Sequence, residues 1–120
     1  MIVTAGKNLV RDFLLNTAPT APTHTEIGDS GAAEAASQTT LLGVDVYREA
    51  FASTGEPTAT KMLYQIDVAV GEAPDDTYQE VGVFNAAADG VMLLRQIFSG
   101  QAKDNTIAFT VQVIVEVRAL

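Results

Sequence analysis

The residues that decide the fold are 80–98, which read EVGVFNAAADGVMLLRQIF. Two apolar segments flank the dipeptide Asp89-Gly90, which readily supplies the positive backbone angles that a tight reversal needs. Because successive strand side chains point to opposite faces of a sheet, the segment predicts a β-hairpin. Its second arm, 91–98, is apolar except at Arg95 and Gln96, which is typical of a strand covered on most of both faces. Partner strands are therefore expected on either side of this second arm.

Gly82 lies inside the first arm of this hairpin. A glycine weakens a strand and usually marks a bulge or a close approach of another backbone. We expect one of these two roles. A contact point for a neighbouring subunit is the alternative.

Four other segments have strand patterns: 24–28, 44–53, 61–70 and 106–118. Residues 54–58, which contain Gly55 and Pro57, are expected to form a reversal. The last segment would span roughly 40 Å, so it either bends between two sheets or reaches beyond its own domain. The spacing of the segments is too tight for crossover helices between parallel strands. The sequence therefore predicts a mainly β protein, an antiparallel β-sandwich of about six strands with a short N-terminal α-helix.

Residues 1–15 predict that helix, with Thr4 as a plausible N-cap and an end near Leu15. Its apolar side chains share one helical stripe: Leu9, Val10, Phe13 and Leu14. Lys7 and Arg11 are like charges four residues apart, which disfavours the helix in isolation. It must therefore pack against its own sheet or a neighbour's.

Residues 29–40 are rich in Gly, Ala, Ser and Thr and have no apolar periodicity. They predict a long surface loop, with a possible helical turn around 32–37. A loop of this length without its own core is often a binding element. We expect it to make an intermolecular contact.

The composition limits what the chain can do. Its 120 residues are expected to form one domain, 1–120, with the helix in 1–15 and the sandwich in 24–118. There is no cysteine, so disulfides and thiolate sites are excluded. The net charge of −8, without a basic cluster, argues against nucleic acid and anionic membranes as partners. No run of residues is apolar enough to span a membrane, and no signal peptide is apparent, so we expect a soluble protein made in the cytoplasm.

The side chains that could take part in catalysis are the single histidine and the carboxylates. His24 is the only histidine, and no serine in a strand-to-helix elbow accompanies it. Asp75, Asp76 and Glu80 are the nearest candidates for paired carboxylates or calcium binding, but their spacing matches no dedicated loop. The glycines near residue 30 lack the lysine of a phosphate-binding loop. The sequence therefore predicts no enzyme, and no catalytic, cofactor-binding or metal-binding residues.

Five segments carry a resemblance to a known group of proteins. They are IVTAGKNLVRD at 2–12, APTH at 21–24, EVGVFNAA at 80–87, LLRQIFS at 93–99 and KDNT at 103–106. In this order they resemble small structural proteins of tailed bacteriophages, described as tail-fibre or tail-tip proteins. They are also similar to the N-terminal attachment region of tail-collar fibres. The resemblance covers nearly the whole chain.

This resemblance implies a structural role in the virion, in its tail rather than its head, and carries over no catalytic residues. It implies a homo-oligomer around the tail axis, a trimer if the protein belongs to a fibre, whose other partners are phage virion proteins. Unlike long fibres, this sequence has no extended repeat or receptor-binding tail after Leu120, so we expect an anchor or adaptor module rather than a protein that recognises the host. Removing 1–15 is expected to leave the sandwich folded but impair assembly.

Two other classes of protein remain open. One is a capsid decoration protein, which would share the acidic sandwich but bind a shell lattice. The other is a carbohydrate-binding module, although the chain has no tryptophan and few aromatic residues for stacking on sugar rings.

Overall fold

The computed structural model describes residues 1–118, in which one helix and seven strands form. These elements are α1 (Thr4–Leu14), β1 (His24–Gly28), β2 (Val46–Ala50), β3 (Ser53–Thr58), β4 (Lys61–Val68), β5 (Asp76–Phe84), β6 (Met92–Lys103) and β7 (Phe109–Glu116). Sheet A has the strand order β2-β1-β5-β6 and sheet B the order β3-β4-β7. Every pairing is antiparallel. The predicted β-sandwich with a short N-terminal helix is confirmed. Positions 119–120 of the expected domain lie outside the described residues.

The predicted hairpin is formed by β5 and β6. Asp89 and Gly90 have φ values of 52° and 75°, the left-handed conformation that the tight turn requires. β5 also pairs with β1, but β6 is the edge strand of sheet A. The expectation of strands on either side of the second arm is therefore wrong: in the described part of the chain, the other side of β6 is met by the isolated bridge from Ile2 to Leu94. The second arm continues past 98 to Lys103, which pairs with Asp76.

The predicted strand 44–53 is divided between the two sheets. The main-chain N–H of Phe51 donates to Thr23 O at 3.0 Å, and that of Ala52 donates to Gln65 O at 2.8 Å. The chain thus crosses from sheet A to sheet B between these residues. The expected reversal 54–58 is wrong, since these residues belong to β3. β3 is an edge strand, which is where a sheet tolerates a proline such as Pro57. It is also the additional strand: six were predicted, and the described residues form seven.

The last strand is shorter than its apolar pattern predicts. β7 has eight residues, and its ladder with β4 runs from Phe109↔Val68 to Glu116↔Lys61. It stays within sheet B, so it neither bends between the sheets nor extends beyond the domain.

The core lies between the two sheets. Residues from both sheets contribute to it: Ile27, Ile66, Val68, Tyr78, Val81, Val83, Leu93, Leu94 and Val113. A second, smaller cluster lies where the N-terminal segment and the loop after β1 meet sheet A: Val3, Leu41, Phe84 and Met92.

The N-terminus belongs to sheet A as well as to the helix. Arg95 N donates to Met1 O at 2.9 Å, and Val3 N donates to Leu93 O at 3.2 Å. Residues 1–3 therefore extend along the edge of β6. The predicted cap is wrong by one position, because Val3 is the N-cap, without a side-chain hydrogen bond, and Thr4 is the first helical residue.

Two glycines allow close packing in this part of the molecule. A Cβ added at Gly6 of α1 would overlap the carbonyl oxygen of Leu93, so the helix lies directly on the backbone of β6. A Cβ added at Gly82 would lie 2.9 Å from Leu41 Cδ2. Gly82 therefore serves close packing within the chain. The alternative of a subunit contact is wrong, because Leu41 covers this buried glycine.

Candidate assembly surface

The outer face of sheet A carries a buried ion pair. Arg95 on β6 donates from Nε to Glu80 Oε2 on β5 at 2.7 Å, and both side chains have no exposed surface. Burying two charges is costly unless their attraction is supplemented by further hydrogen bonds. These come from residues 29–43, which make up most of the loop between β1 and β2.

This loop satisfies both members of the pair through its main chain. Glu80 accepts the N–H of Gly43 at 2.7 Å and that of Leu42 at 3.1 Å. Arg95 Nη1 donates to the carbonyl oxygen of Ala32 at 2.9 Å. The loop is thus held over sheet A by side chains of its own chain.

The loop has no helical residue between 29 and 40, so the possible helical turn at 32–37 is wrong. One turn is closed there by the hydrogen bond from Gln38 N to Ala35 O at 3.1 Å. Glu34 Oε2 accepts the N–H of Ile97 at 3.0 Å, which fastens the loop to the edge of β6. An intermolecular contact by this loop stays a prediction.

A second ion pair lies on the same face of sheet A. Arg48 Nε on β2 donates to Glu26 Oε2 on β1 at 2.9 Å. The Arg48 guanidinium also lies 3.7 Å from the centre of the Phe84 ring, a cation–π contact. The two ion pairs join β1 to β2 and β5 to β6, and the Arg48–Phe84 contact joins β2 to β5.

An apolar groove of about 540 Å³ lies between α1 and the neighbouring end of sheet B. It is lined mainly by Ile2, Leu9, Phe13, Met62, Tyr64 and Val115. Leu9 is buried, whereas Val10 and Phe13 are partly exposed and Leu14 is 82% exposed. The helix therefore packs on β6 with part of its apolar stripe and leaves the rest of the stripe open.

The sandwich is also open along β7. Two clefts of about 460 and 430 Å³ lie between β6 and β7, and both reach Val81 on the core face of β5. Gln96 and Gln112 line both clefts. In the described part of the chain β7 has a strand neighbour, β4, on one side. Such an edge presents unpaired main-chain groups to solvent.

Three carboxylates meet at the opposite end of sheet A. Oxygens of Asp29, Asp45 and Asp76 lie within 4.8 Å of one another. Asp29 follows β1, Asp45 precedes β2 and Asp76 begins β5, so the antiparallel order of these strands brings them together. Carboxylate oxygens suit Ca²⁺ and Mg²⁺, and these three residues could supply ligands to a divalent ion.

The three carboxylates differ in their affinity for protons. A hydrogen bond with Asp76 raises the pKa of Asp45, and burial and the neighbouring charges act in the same direction. The pKa of Asp76 is lowered, chiefly because its carboxylate accepts the N–H of Thr77 at 2.7 Å. Asp45 therefore takes up a proton before Asp76 as the pH falls. Burial and the surrounding carboxylates raise the pKa of Tyr78 to about 12.

The residues considered from the sequence are dispersed. His24 Nδ1 contacts Thr23 Oγ1 at 2.7 Å at the start of β1. Asp76 meets Asp29 and Asp45 rather than its neighbour Asp75. The Glu80 carboxylate is occupied by Arg95 and the loop, which leaves it unavailable as an acid or base.

Sequence reasoning missed the partner of Glu80. The available signal was Arg95 itself, a charge inside an otherwise apolar strand, which requires an acidic partner if it is buried. It also missed Asp29 and Asp45, whose meeting with Asp76 depends on strand pairing.

The fold defines the chain as an antiparallel β-sandwich with an N-terminal helix packed on one edge strand. No protein-family model matches it, and none of the curated proteins matches it significantly. Among residues 1–118, no helix combines the length and apolar character needed to cross a bilayer.

Proposed function

We propose that this chain is a non-enzymatic structural component of a tailed-bacteriophage virion. It acts as a tail-fibre, tail-tip or adaptor protein that self-associates, as a trimer if it belongs to a fibre, and docks on neighbouring virion proteins. The order of its sequence segments resembles such proteins over nearly the whole chain.

The observation that carries this proposal is the partly covered helix α1. Leu14 is 82% exposed beside the apolar groove, and Leu15 and Val117 are also exposed there. Contiguous exposed apolar surface marks sites of protein association. A subunit whose neighbours cover such a surface fits a virion assembly.

A non-enzymatic role is supported by the arrangement of the candidate chemical groups. Glu80 is engaged by Arg95, and His24 contacts Thr23. Nucleophilic catalysis needs a base within hydrogen-bond reach of a nucleophile and an orienting group beyond it. The contacts of His24 and Glu80 are instead those of a folded scaffold.

Immunogold electron microscopy tests the proposal on particles of the phage whose genome encodes this chain. An antibody raised against the purified protein is expected to label the tail or its tip. The same antibody, pre-adsorbed with purified protein, serves as the control. Label over the head would overturn the tail assignment in favour of a capsid decoration protein. Bare particles, with an antibody shown to bind the pure chain, would contradict a virion role altogether.

A glycan array separates the remaining class. A carbohydrate-binding module would bind a defined set of glycans, and the proposal predicts that the purified chain binds none of them.

A further inference from the structure

Basic side chains are concentrated at one end of the molecule. Arg48, Arg95 and Lys103 are largely or fully buried in sheet A. The other four basic side chains are Lys7 and Arg11 on α1, Lys61 at the start of β4, and Arg118 just after β7, of which Arg118 lines the groove. We call this part of the molecule the groove end.

Of the residues that the structure describes, the groove end carries these four basic side chains and three acidic ones, Asp12, Glu56 and Glu116, which leaves one positive charge in excess. Arg11 is paired with Asp12 at 2.8 Å and Arg118 with Glu116 at 2.6 Å. Among residues 1–118, Lys7 has no acidic partner within salt-bridge distance, and neither has Lys61. Lys61 lies opposite Glu116 in the β4–β7 ladder, but that carboxylate is paired with Arg118. We therefore treat both ammonium groups as available to an external carboxylate.

The other end of the sandwich is strongly acidic and also apolar. Around Asp29, Asp45 and Asp76 it carries Glu72 and Asp75 of the β4–β5 loop. Lys103 pairs with Asp76 in the β5–β6 ladder but is buried, so it does not present its charge outward. The same end exposes three apolar side chains, Leu42, Val44 and Val70, of which Val44 is 92% exposed. We call it the acidic end.

The two ends are separated by the length of the strands. β4 begins at the groove end with Lys61 and Met62 and finishes at Val68, just before Val70 of the acidic end. Its eight residues correspond to about 26 Å of extended chain. The molecule, with principal extents of 45 × 28 × 27 Å, therefore has unlike ends along its strands.

We propose that the groove end binds the acidic end of a second copy of this chain, head to tail. Val44 and its apolar neighbours would enter the groove beside Leu14, and the surrounding carboxylates would face Lys7 and Lys61. The proposal rests on the self-association in the proposed function and specifies its orientation.

Charge favours this orientation over a two-fold contact. A symmetric contact between two acidic ends would bring like carboxylates together, which is strongly unfavourable at an interface. A symmetric contact between two groove ends would leave Lys7 and Lys61 facing each other and the exposed Val44 and its carboxylates uncovered. Both ends are covered, and both lysines face carboxylates, when unlike ends meet. Such a heterologous contact repeats from copy to copy and produces a ring or a filament.

Light scattering after size-exclusion chromatography tests the contact by complementation. Leu14→Asp damages the groove end alone, and Val44→Asp damages the acidic end alone. Both side chains are exposed, so neither change disturbs the core. At micromolar concentration the wild-type chain is expected to exceed two chain masses, and each variant to elute at its chain mass of 12.7 kDa. In an equal mixture, the intact acidic end of the Leu14→Asp variant can bind the intact groove end of the Val44→Asp variant. The mixture is therefore expected to form a complex of twice the chain mass.

Ile114→Asp is the matched control. Ile114 is 56% exposed on β7 and, unlike its neighbour Val115, does not line the groove, so this variant is expected to assemble like the wild type. Circular dichroism establishes that all three variants are folded.

The remaining outcomes distinguish failure of the orientation from failure of self-association. Two results would overturn the head-to-tail contact if the wild type is oligomeric: the Val44→Asp variant still assembles, or the mixed variants stay monomeric. Either result would leave self-association standing. Loss of assembly in Ile114→Asp alone would place the interface on β7 instead. A monomeric wild type would overturn both the contact and self-association, while immunogold labelling would still report separately on a virion role.

Discussion

Arg95 and Glu80 lie on neighbouring strands with both side chains fully buried, and Arg95 Nε donates to Glu80 Oε2 at 2.7 Å. Both side chains also form hydrogen bonds with the main chain of the 29–43 loop: Glu80 accepts the N–H groups of Leu42 and Gly43, and Arg95 donates to the carbonyl oxygen of Ala32. One ion pair thus connects the central hairpin to the longest irregular segment of the fold.

Replacing Arg95 by Met is expected to destabilise the protein severely. The change leaves the Glu80 carboxylate buried without its cation, and breaking a buried pair in this way costs roughly 3–5 kcal/mol. Urea unfolding measures the loss. Hydrogen exchange at the amides of Leu42 and Gly43, which donate to Glu80, should accelerate more than at the β4–β7 ladder.

Arg11→Met is the control for that experiment. Arg11 also forms an ion pair, with Asp12, but its side chain is 59% exposed. The expected change in unfolding free energy is at most about 0.5 kcal/mol. Equal losses for the two arginine variants would contradict the role assigned to burial.

Gly6→Ala is expected to destabilise the protein, although alanine is the better helix former. The new methyl group would overlap the carbonyl oxygen of Leu93 and push α1 away from β6. Overpacking of this kind costs about 1–3 kcal/mol, which exceeds the gain in helix propensity of up to about 1 kcal/mol. Thermal unfolding measures the result, with Lys7→Ala on the exposed side of the helix as control. A stabilised Gly6→Ala variant would show that the contact between helix and strand is looser than the structure has it.

Removal of residues 1–15 is expected to weaken the sandwich itself, contrary to the expectation from the sequence. The segment contributes a ladder along β6 and the buried side chains of Val3 and Leu9. Burying each of these side chains contributes about 1.5–3 kcal/mol to the free energy of unfolding. Circular dichroism in urea should show a lower unfolding midpoint for the truncated chain. An unchanged midpoint would indicate that the segment serves assembly alone.

Asp45→Asn is expected to stabilise the fold at neutral pH. The pKa of Asp45 is raised above its ordinary value of 3.8 by its contact with Asp76, so the folded state binds this proton more tightly than the unfolded state. Ionisation of Asp45 therefore costs stability above the raised pKa, and the asparagine variant avoids that cost. Its advantage should disappear as the pH falls below about 3.8, where aspartate is protonated in both states.

Thermal unfolding at pH 7 and pH 3 measures this dependence. Asp75→Asn removes a charge from the same loop region but not from the cluster of Asp29, Asp45 and Asp76. It is the control for a general effect of net charge. An equal gain in stability for both variants would show that ionising Asp45 within the cluster costs no more stability than any other negative charge in this region.

Local patterns predicted much of the fold because they report interactions between near neighbours. Asp89-Gly90 marked the turn, the apolar spacing of residues 1–15 marked the helix, and alternation marked β4. The division of 44–53 between two sheets was not predictable in this way. It depends on Phe51 N bonding to Thr23 and Ala52 N bonding to Gln65, contacts between segments distant in sequence.

The sequence predicted that the helix takes part in packing or assembly, but not which of its side chains are covered. The sequence showed a helix that needed a partner, and only the structure divided its stripe into a covered part at Leu9 and an open part at Leu14. The three-aspartate cluster could not be foreseen, because its members belong to three different strand ends.

The sequence by itself determined the fold class, the central hairpin and the amphipathic helix, because residue periodicity and turn chemistry act over a few neighbouring positions. The tertiary structure decided which charges are buried together, which carboxylates meet and which apolar surface stays open. Those outcomes follow from strand pairing over long sequence separations. There, the cost of burying each charge or apolar group depends on what the folded chain places against it.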